Sequence, residues 1–466
     1  MAKLRDVNVT VQFAGGTLRV LGVQRGLDLP GLWDEREGCL RVPAFEYAPL
    51  LRQIRRLGLT CVDEVRAYEE LNLSLHEARA ARPFQTESVA AWLESQARGV
   101  IVLPTGSGKS YVALLAMLEK QRSTLVVAPT LDLVRQWHQT LSSQFRVPIG
   151  LLGGGEHDVK PITVTTYDSA YLHMERYGNR FGLVVFDECH HLPGESYAEA
   201  ARMCIAPFRL GLTATLERAD GREVELESLL GRVVYSQNIV DLAGAYLAPY
   251  DTERLVVELD ELERASYEAA RATYINFVRQ QSINLGSPRG FTEFIQRASR
   301  SEAGQKALRA YREQRALAFA PAAKLRSLGE LLFKHRRDRT IVFTEDNRTA
   351  YRISREFLVP IITHQTKLKE RSEILTGFEA GRYHALVTSK VLNEGVDVPS
   401  ANVAVVVSGS GSVMEHVQRL GRILRQQGEK RARLYELVSA KTSETNTSER
   451  RREHAAYQRR HSTEGP

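Results

Sequence analysis

The chain is predicted to be an α/β protein: two parallel-sheet lobes, a small α/β unit ahead of them, and a helical insertion. Three observations lead there. Short apolar runs at 124–128, 162–166, 183–186 and 210–212 alternate with helical stretches, the mark of a parallel sheet covered on both faces. The same rhythm returns at 340–344, 385–388, 403–407 and 434–437, so a second sheet follows the first. Between an apolar run at 99–102 and a helical pattern at 111–118 lies Leu103-Pro104-Thr105-Gly106-Ser107-Gly108-Lys109-Ser110, the strand–turn–helix setting of a phosphate loop.

Bulk properties set the bounds. A chain of 466 residues has room for about two to four domains with real cores. No apolar run reaches membrane-spanning length and the N-terminus has no apolar signal core, so a cytoplasmic protein with no membrane contact is expected. Cys39, Cys61, Cys189 and Cys204 are scattered without a paired spacing, which points to reduced thiols rather than disulfides or structural zinc. A net charge of +7 permits a polyanionic partner without demanding one.

Residues 1–75 read as a separate unit. Period-two alternation at 7–13 is a half-buried strand, Gly15-Gly16 is a hairpin turn, and 17–21 is its partner. A third strand at 39–42 ends at Pro43, a helix at 47–57 stops at Gly58, and 59–62 is a last strand. No residue there carries chemistry; a structural module and a nucleic-acid accessory are both open readings. Residues 71–82 read as a charged helical linker broken by Pro83. Arg82-Pro83-Phe84-Gln85 then places an aromatic ring and an amide just upstream of the phosphate loop, where they suit an adenine or an ordinary surface turn.

In the loop, Gly106 and Gly108 let backbone N–H groups turn inward around phosphate oxygens, and the following helix adds its positive end. Lys109 is placed for the β/γ-phosphates and the Ser110 hydroxyl for Mg²⁺. The full phosphate-loop pattern has Gly where this chain has Leu103. Three strand ends carry further polar sequence. Asp187-Glu188-Cys189-His190 offers a Mg²⁺-holding carboxylate, a second carboxylate to orient or deprotonate water, and an imidazole. Thr213-Ala214-Thr215 suits a hydroxyl relay to that acidic turn. Ala128-Pro129-Thr130, with Arg135 behind it, is either a phosphate grip or a plain helix cap. Thr166, Thr344 and Thr388, at other strand ends, are assigned to the same nucleic-acid grip.

Residues 260–323 break the rhythm with helices at 269–281, 291–298 and 303–318, rich in Arg: a solvated face or a nucleic-acid contact. The second lobe has no phosphate loop. It carries Asn393-Glu394-Gly395-Val396-Asp397 and then Gln418-Arg419-Leu420-Gly421-Arg422-Ile423-Leu424-Arg425. Arg422 and Arg425 share a helix face, and two guanidinium groups aimed at one spot call for an anion. An arginine finger on the γ-phosphate of a nucleotide held by the other lobe meets that need. Residues 441–466 are polar and basic and read as a disordered tail or one that folds on a partner.

Taken in order, Gln85, the phosphate loop, Asp187 to His190, Thr213 to Thr215, Asn393 to Asp397 and Gln418 to Arg425 resemble the motif set of superfamily 2 helicases, across residues 82–440. Leu103 is an ordinary departure there. Gly211 to Thr215 followed by Arg218-Ala219-Asp220, the two second-lobe strings and the small N-terminal unit resemble the XPB branch in its archaeal-type short form. The resemblance implies two RecA-like lobes, at 76–245 and 246–440. It also implies a damage-recognition domain at 1–75, a thumb-like insertion at 260–323, and a basic tail at 441–466. It implies a 3'-5' DNA helicase or translocase of nucleotide excision repair that uses ATP and Mg²⁺, acts on DNA junctions and works with a nuclease partner. By the same resemblance Lys109, Asp187, Glu188, His190, Gln418, Arg422 and Arg425 are catalytic. Arg82, Gln85, residues 103–110, Gly395 and Asp397 would hold the nucleotide, and Arg218 and Asp220 would touch DNA. The family's Arg-Glu-Asp triplet has Ala219 at its middle position here, which favours ATPase activity over strand separation. A translocase that does not separate strands and an ATP-switched nucleic-acid-binding scaffold are the rival readings.

Overall fold

The apolar runs form strands, and the strands form three sheets. The structure is a computed structural model. It describes residues 8–77, 79–216, 221–242, 244, 246–287, 289–389, 401–409 and 431–452. By its contacts the chain makes two units: residues 1–103 with 108–237, and residues 238–466 with the turn Pro104–Ser107.

The first unit opens with β1 (Asn8–Ala14), β2 (Thr17–Leu21), β3 (Leu32–Asp34), β4 (Cys39–Pro43), α1 (Tyr47–Arg56) and β5 (Thr60–Glu64). Their sheet runs β3-β4-β2-β1-β5, antiparallel except for the β1–β5 pair. Alternate residues Val9, Val11, Leu18 and Val20 are buried, and α1 adds Tyr47, Leu50 and Ile54 to the same core. The short β3, with few apolar residues, carries no periodicity that the sequence could show.

The expected helical linker at 71–82 is not a helix. Its described residues, 71–77 and 79–82, contain no helix. The N–H groups of Ala67, Leu71 and His76 donate to the carbonyls of Asn179, Gln121 and Gln144. Backbone partners outside the segment displace the internal ladder that a helix would need.

The first parallel sheet follows: α2 (Pro83–Glu94), β6 (Arg98–Val102), α3 (Lys109–Lys120), β7 (Thr124–Ala128), α4 (Leu131–Gln144), β8 (Ile149–Gly153), β9 (Glu156–Asp158), β10 (Ile162–Thr166), α5 (Tyr167–Tyr177), β11 (Leu183–Asp187), α6 (Tyr197–Arg202), β12 (Phe208–Thr213), α7 (Val224–Leu229) and β13 (Val233–Ser236). The strand order is β13-β6-β12-β11-β7-β10-β8-β9, parallel throughout except at β9. Strands β7, β10 and β11 are buried at every position, as β-branched runs covered on both faces should be. Arg209 lies wholly inside this unit, where its guanidinium donates to the carbonyls of Ala201, Cys204, Ala206 and Leu229. Burial pulls it down to about 10.

The second unit contains α8 (Ile239–Leu242), β14 (Tyr250–Val257), α9 (Glu261–Gln280), α10 (Gly290–Ala298), α11 (Glu302–Phe319), α12 (Ala322–Lys334), β15 (Thr340–Phe343), α13 (Asn347–Phe357), β16 (Ile361–Ile362), α14 (Leu368–Glu379), β17 (Ala385–Thr388), β18 (Val403–Val406), β19 (Ala432–Ser439) and α15 (Ser443–Arg452). Its sheet, β14-β19-β18-β15-β17-β16, is parallel at every pairing. Helix α9 starts eight residues before the sequence pattern suggests, because Asp260 and Glu263 close a capping box there.

The segment after 441 corrects another expectation. Residues 443–452 are helical, not disordered. Glu444, inside this polar stretch, is buried against Lys324, whose Nζ donates to Glu444 Oε2 and to the Val407 carbonyl, each at 2.6 Å.

Candidate nucleotide site

Parallel pairing puts the carboxyl ends of β6, β12, β11, β7 and β10 along one edge of the first sheet. That edge is where an open α/β sheet holds its ligand. Strand β6 ends at Val102, and the Leu103 N–H then donates to the Thr213 carbonyl at the end of β12. The loop turns through Gly106 at φ +85° and Gly108 at φ +92°, left-handed values that glycine adopts without strain. A Cβ on Gly108 would meet the Gln85 amide nitrogen at 2.7 Å, so the close approach needs glycine as well. Ser107 closes the turn by donating its hydroxyl to the Pro104 carbonyl at 2.7 Å.

Lys109, the first residue of α3, donates to the Leu103 carbonyl at 3.3 Å and stands 3.6 Å from Glu188 Oε1. Ser110 beside it is exposed. Gln85 serves the loop rather than facing outward. It is 2% exposed, its Oε1 accepts from the Arg82 N–H, and its Nε2 donates to the Gly108 carbonyl. Arg79 stacks on the Tyr111 ring, 4.1 Å from its centroid, and flanks the same glycine. The sequence offered no sign of Arg79, because its partner lies 32 residues away.

Asp187 ends β11. Its Oδ2 accepts the Trp137 indole N–H at 2.8 Å and its Oδ1 accepts the Glu188 N–H at 3.0 Å. Burial, with the Glu188 charge next to it, pushes the Asp187 carboxyl up to about 6; Lys109 and the two N–H donors work against that rise. Glu188 sits at φ +47°, a left-handed value that is strained for a residue with a Cβ. Tyr167 donates its hydroxyl to the Asp187 carbonyl at 3.0 Å. The Thr213 hydroxyl donates to the Thr215 carbonyl at 2.6 Å, so it is left to accept from His190, whose Nδ1 lies 3.0 Å away. Nδ1 therefore carries the proton, a tautomer assigned from this network. It also lies 3.5 Å from Glu188 Oε2, so the imidazole bridges the acidic turn and the threonine turn.

The donor set fits a magnesium–nucleoside triphosphate. The Thr105 hydroxyl is buried without a partner in the loop, and at Gly108 a Cβ would press on the Gln85 amide. Mg²⁺ keeps several waters and needs only one or two protein ligands beside phosphate oxygens, and Ser110 and Asp187 are the side chains that could supply them. Among the described residues no cluster of three or more His, Cys, Asp or Glu side chains forms a dedicated metal cage.

On the same edge, Thr130 caps α4 by accepting the Leu133 N–H, and Thr166 caps α5 by accepting the Ser169 N–H. Arg135 is exposed on α4. Thr344 and Thr388 correct the expectation that they grip nucleic acid. Both are fully buried at strand ends in the second unit. The Thr344 hydroxyl donates to backbone carbonyls of Asp346 and Thr388, and that of Thr388 to Ser389, so neither offers a surface to a strand. Arg218, Asp220, Gly395, Asp397, Gln418, Arg422 and Arg425 lie outside the described residues.

Three family models match successive parts of the chain: the XPB helicase damage recognition domain at 11–65, the res subunit of type III restriction enzymes at 79–218, and the ERCC3/RAD25/XPB C-terminal helicase at 305–459. A Sulfurisphaera tokodaii protein named DNA 3'-5' translocase XPB2 is 40% identical over 91% of this chain and 96% of its own length. The chain belongs to the XPB family. A Kineococcus radiotolerans relative, DNA 3'-5' helicase XPB, is 32% identical over 81% of this chain, which spans 63% of that longer protein. Among solved structures, the Hef helicase domain of Pyrococcus furiosus matches with a TM-score of 0.50 at 20% identity, over 79% of this chain and 97% of that one. That likeness bears on fold alone: two RecA-like lobes, as expected of an XPB-family chain.

Proposed function

We propose that this XPB-family chain is an ATP-dependent 3'-5' DNA translocase and helicase that opens or remodels duplex DNA in nucleotide excision repair. The observation that carries the reading is the acidic turn. Asp187 and Glu188 face the phosphate-loop Lys109, and the helices capped by Thr130 and Thr166 hold that turn through Trp137 and Tyr167. One edge of one sheet thus joins a nucleotide cradle to two helix N-termini suited to phosphates.

In this proposal residues 76–245 form the ATP-binding lobe and 246–440 the second lobe, with 1–75 as a damage-recognition domain and 260–323 as a thumb. Bound ATP with Mg²⁺ supplies the anhydride whose hydrolysis drives the cycle. Backbone N–H groups of Thr105, Gly106, Gly108 and Lys109 would hold the phosphates, Lys109 would leave Glu188 for them, and Ser110 and Asp187 would hold the ion. Glu188, released from its lysine, orients the attacking water and accepts its proton. His190 keeps Glu188 aimed, and its own proton stays on Nδ1. Arg422, Arg425 and Gln418 would complete catalysis, and Gly395 and Asp397 would bind the nucleotide. Removing either arginine is expected to slow turnover on the order of a thousand-fold. Thr130, Arg135, Thr166, Arg218 and Asp220 contact the DNA backbone.

A second reading, translocation along duplex DNA without strand separation, is favoured by Ala219 in place of an acidic residue. A nuclease partner and a cytoplasmic location belong to the proposal too; no described helix is long and apolar enough to cross a membrane. The test is ATP turnover of Lys109→Ala with single-stranded, duplex and forked DNA and with RNA. Loss of DNA-stimulated hydrolysis is expected, and normal turnover in that variant refutes the assignment. Strand displacement measured beside triplex displacement separates the two readings.

A further inference from the structure

Strand β13 is the edge of the first parallel sheet and pairs with β6, the strand that feeds the phosphate loop. Opposite Val100 and Ile101 of β6 stand Val233 and Tyr235, so Val234 is an extra residue in the ladder. An extra residue of this kind re-aims the side chains around it. Tyr235 donates its hydroxyl to Glu87 Oε2, on α2, at 2.8 Å. The same hydroxyl accepts from Gln237 Nε2 at 2.9 Å. The Gln237 N–H in turn donates to the carbonyl of Val102, the last residue of β6, at 3.0 Å. Burial and the Glu87 contact push the Tyr235 hydroxyl up to about 12, so it remains a donor at neutral pH. Gln237, Tyr235 and Glu87 thus form a one-way chain of donors that ends on a carboxylate, and the bonds of such a chain polarise one another.

The relay ends on the helix that serves the nucleotide site. Glu87 lies two residues past Gln85, whose Nε2 reaches the Gly108 carbonyl at 3.4 Å. That is a long hydrogen bond, sensitive to where α2 stands. The far end of α2 is fixed separately, by the Trp92 indole N–H donating to the Arg209 carbonyl at 2.9 Å. The acidic turn is held by other elements: Trp137 of α4, Tyr167 of α5 and Thr213 of β12. A fault in the relay therefore reaches the phosphate loop and leaves the residues assigned to hydrolysis in place. Gln237 is also where the chain leaves the first unit, so the relay ties the nucleotide helix to that exit.

We propose that Tyr235 is a positioning residue for nucleotide binding: with Glu87 and Gln237 it holds α2 so that Gln85 keeps its grip on the phosphate loop. The assignment rests on the nucleotide-site reading and deepens it, by giving the site a support that none of its motif residues marks.

The test uses the full chain. DNA-stimulated turnover is read over an ATP titration, and equilibrium binding of methylanthraniloyl-ADP is read by fluorescence. A hydrogen bond to a charged group is typically worth about ten-fold in an equilibrium, and less where the carboxylate meets water. Tyr235→Phe should therefore raise KM and the nucleotide Kd by roughly three- to ten-fold, with kcat at saturating ATP within about two-fold of wild type. Glu87→Gln keeps an acceptor and should retain most of the affinity, whereas Glu87→Leu should match Tyr235→Phe. Tyr235→Phe combined with Glu87→Leu should cost no more than either alone, because the pair acts as one. Thermal melts check folding, and Glu87→Leu, at an exposed position of α2, carries the same prediction if Tyr235→Phe melts early. Unchanged KM and Kd in the folded single variants, or losses that add in the double variant, overturn the relay while the nucleotide site stands. A fall in kcat with KM unchanged also overturns it, in favour of a role in hydrolysis. A wild-type chain that binds no nucleotide overturns the site itself, and the relay with it.

Discussion

The indole N–H of Trp137 donates to Asp187 Oδ2 over 2.8 Å, with both residues buried. Trp137 belongs to α4, whose N-terminus is capped by Thr130. Tyr167 opens α5, capped by Thr166, and donates its hydroxyl to the Asp187 carbonyl. Each turn proposed to grip DNA is therefore one side chain from the acidic turn. In the proposed mechanism, a shift of either helix on DNA would pull on Asp187, the residue assigned to Mg²⁺.

Trp137→Phe keeps the ring and removes the donor. Groups behind a metal ligand typically matter by roughly ten- to a hundred-fold, so DNA-stimulated turnover should fall by about that much, with a raised Mg²⁺ requirement. Steady-state kinetics over a Mg²⁺ titration check this. Unchanged turnover and Mg²⁺ dependence would show that the indole only fills space.

Glu188→Gln should leave nucleotide binding in place, because Lys109, the glycine turn and Ser110 remain. If Glu188 accepts the proton of the attacking water as proposed, the variant should slow hydrolysis by roughly a hundred-fold or more. Fluorescent-nucleotide binding beside single-turnover hydrolysis separates the two effects. A variant that loses binding instead would make Glu188 part of the cradle.

Asp187→Asn has a pH signature. The folded carboxyl is raised to about 6 by burial and by Glu188, while the unfolded chain titrates near 4. Between about pH 4 and 6 the folded chain holds a proton that the unfolded chain has released. This group's penalty on stability is thus absent below pH 4 and full at neutral pH. An amide can accept only one of the two N–H groups that Asp187 accepts, which costs the Asn variant stability at every pH, but its melting temperature relative to wild type should rise from pH 4 to pH 7, although its ATP turnover is lost. Thermal melts from pH 4 to 8 check the sign; a relative melting temperature that falls as pH rises contradicts it.

Lys324 and Glu444 are a buried pair, so removing one partner strands the other's charge. Glu444→Leu alone should destabilise the second unit by about 3–5 kcal/mol and expose α15 to proteolysis, while Lys324→Met with Glu444→Leu should recover most of it. Denaturant melts of the single and double variants decide this. Equal losses in both would mean that the charge pair itself is not the issue.

The central strands of both parallel sheets were legible because apolar runs buried on both faces have no other outlet, whereas β8, β9, β13, β14 and β16, short or partly exposed, were not. The phosphate loop was legible because glycine spacing and a following helix define it locally. What could not be read depends on distant partners. Residues 71–82 have a helical composition, but Asn179, Gln121 and Gln144 take the backbone N–H groups of this strap. Trp137 looks like any core aromatic until Asp187, 50 residues on, is seen beside it. Glu444 sits in a polar stretch whose partner is 120 residues away. Thr344 and Thr388 were placed at the right strand ends, but position alone does not say which way a strand-end hydroxyl points.

The most direct measurement is ATP turnover of the wild-type chain with and without DNA, paired with the same assay on Trp137→Phe. DNA should stimulate the wild type strongly and the variant much less, and the variant should need more Mg²⁺ with or without DNA. Equal stimulation of both would break the link between strand grip and acidic turn, and a wild type indifferent to DNA would remove the motor itself.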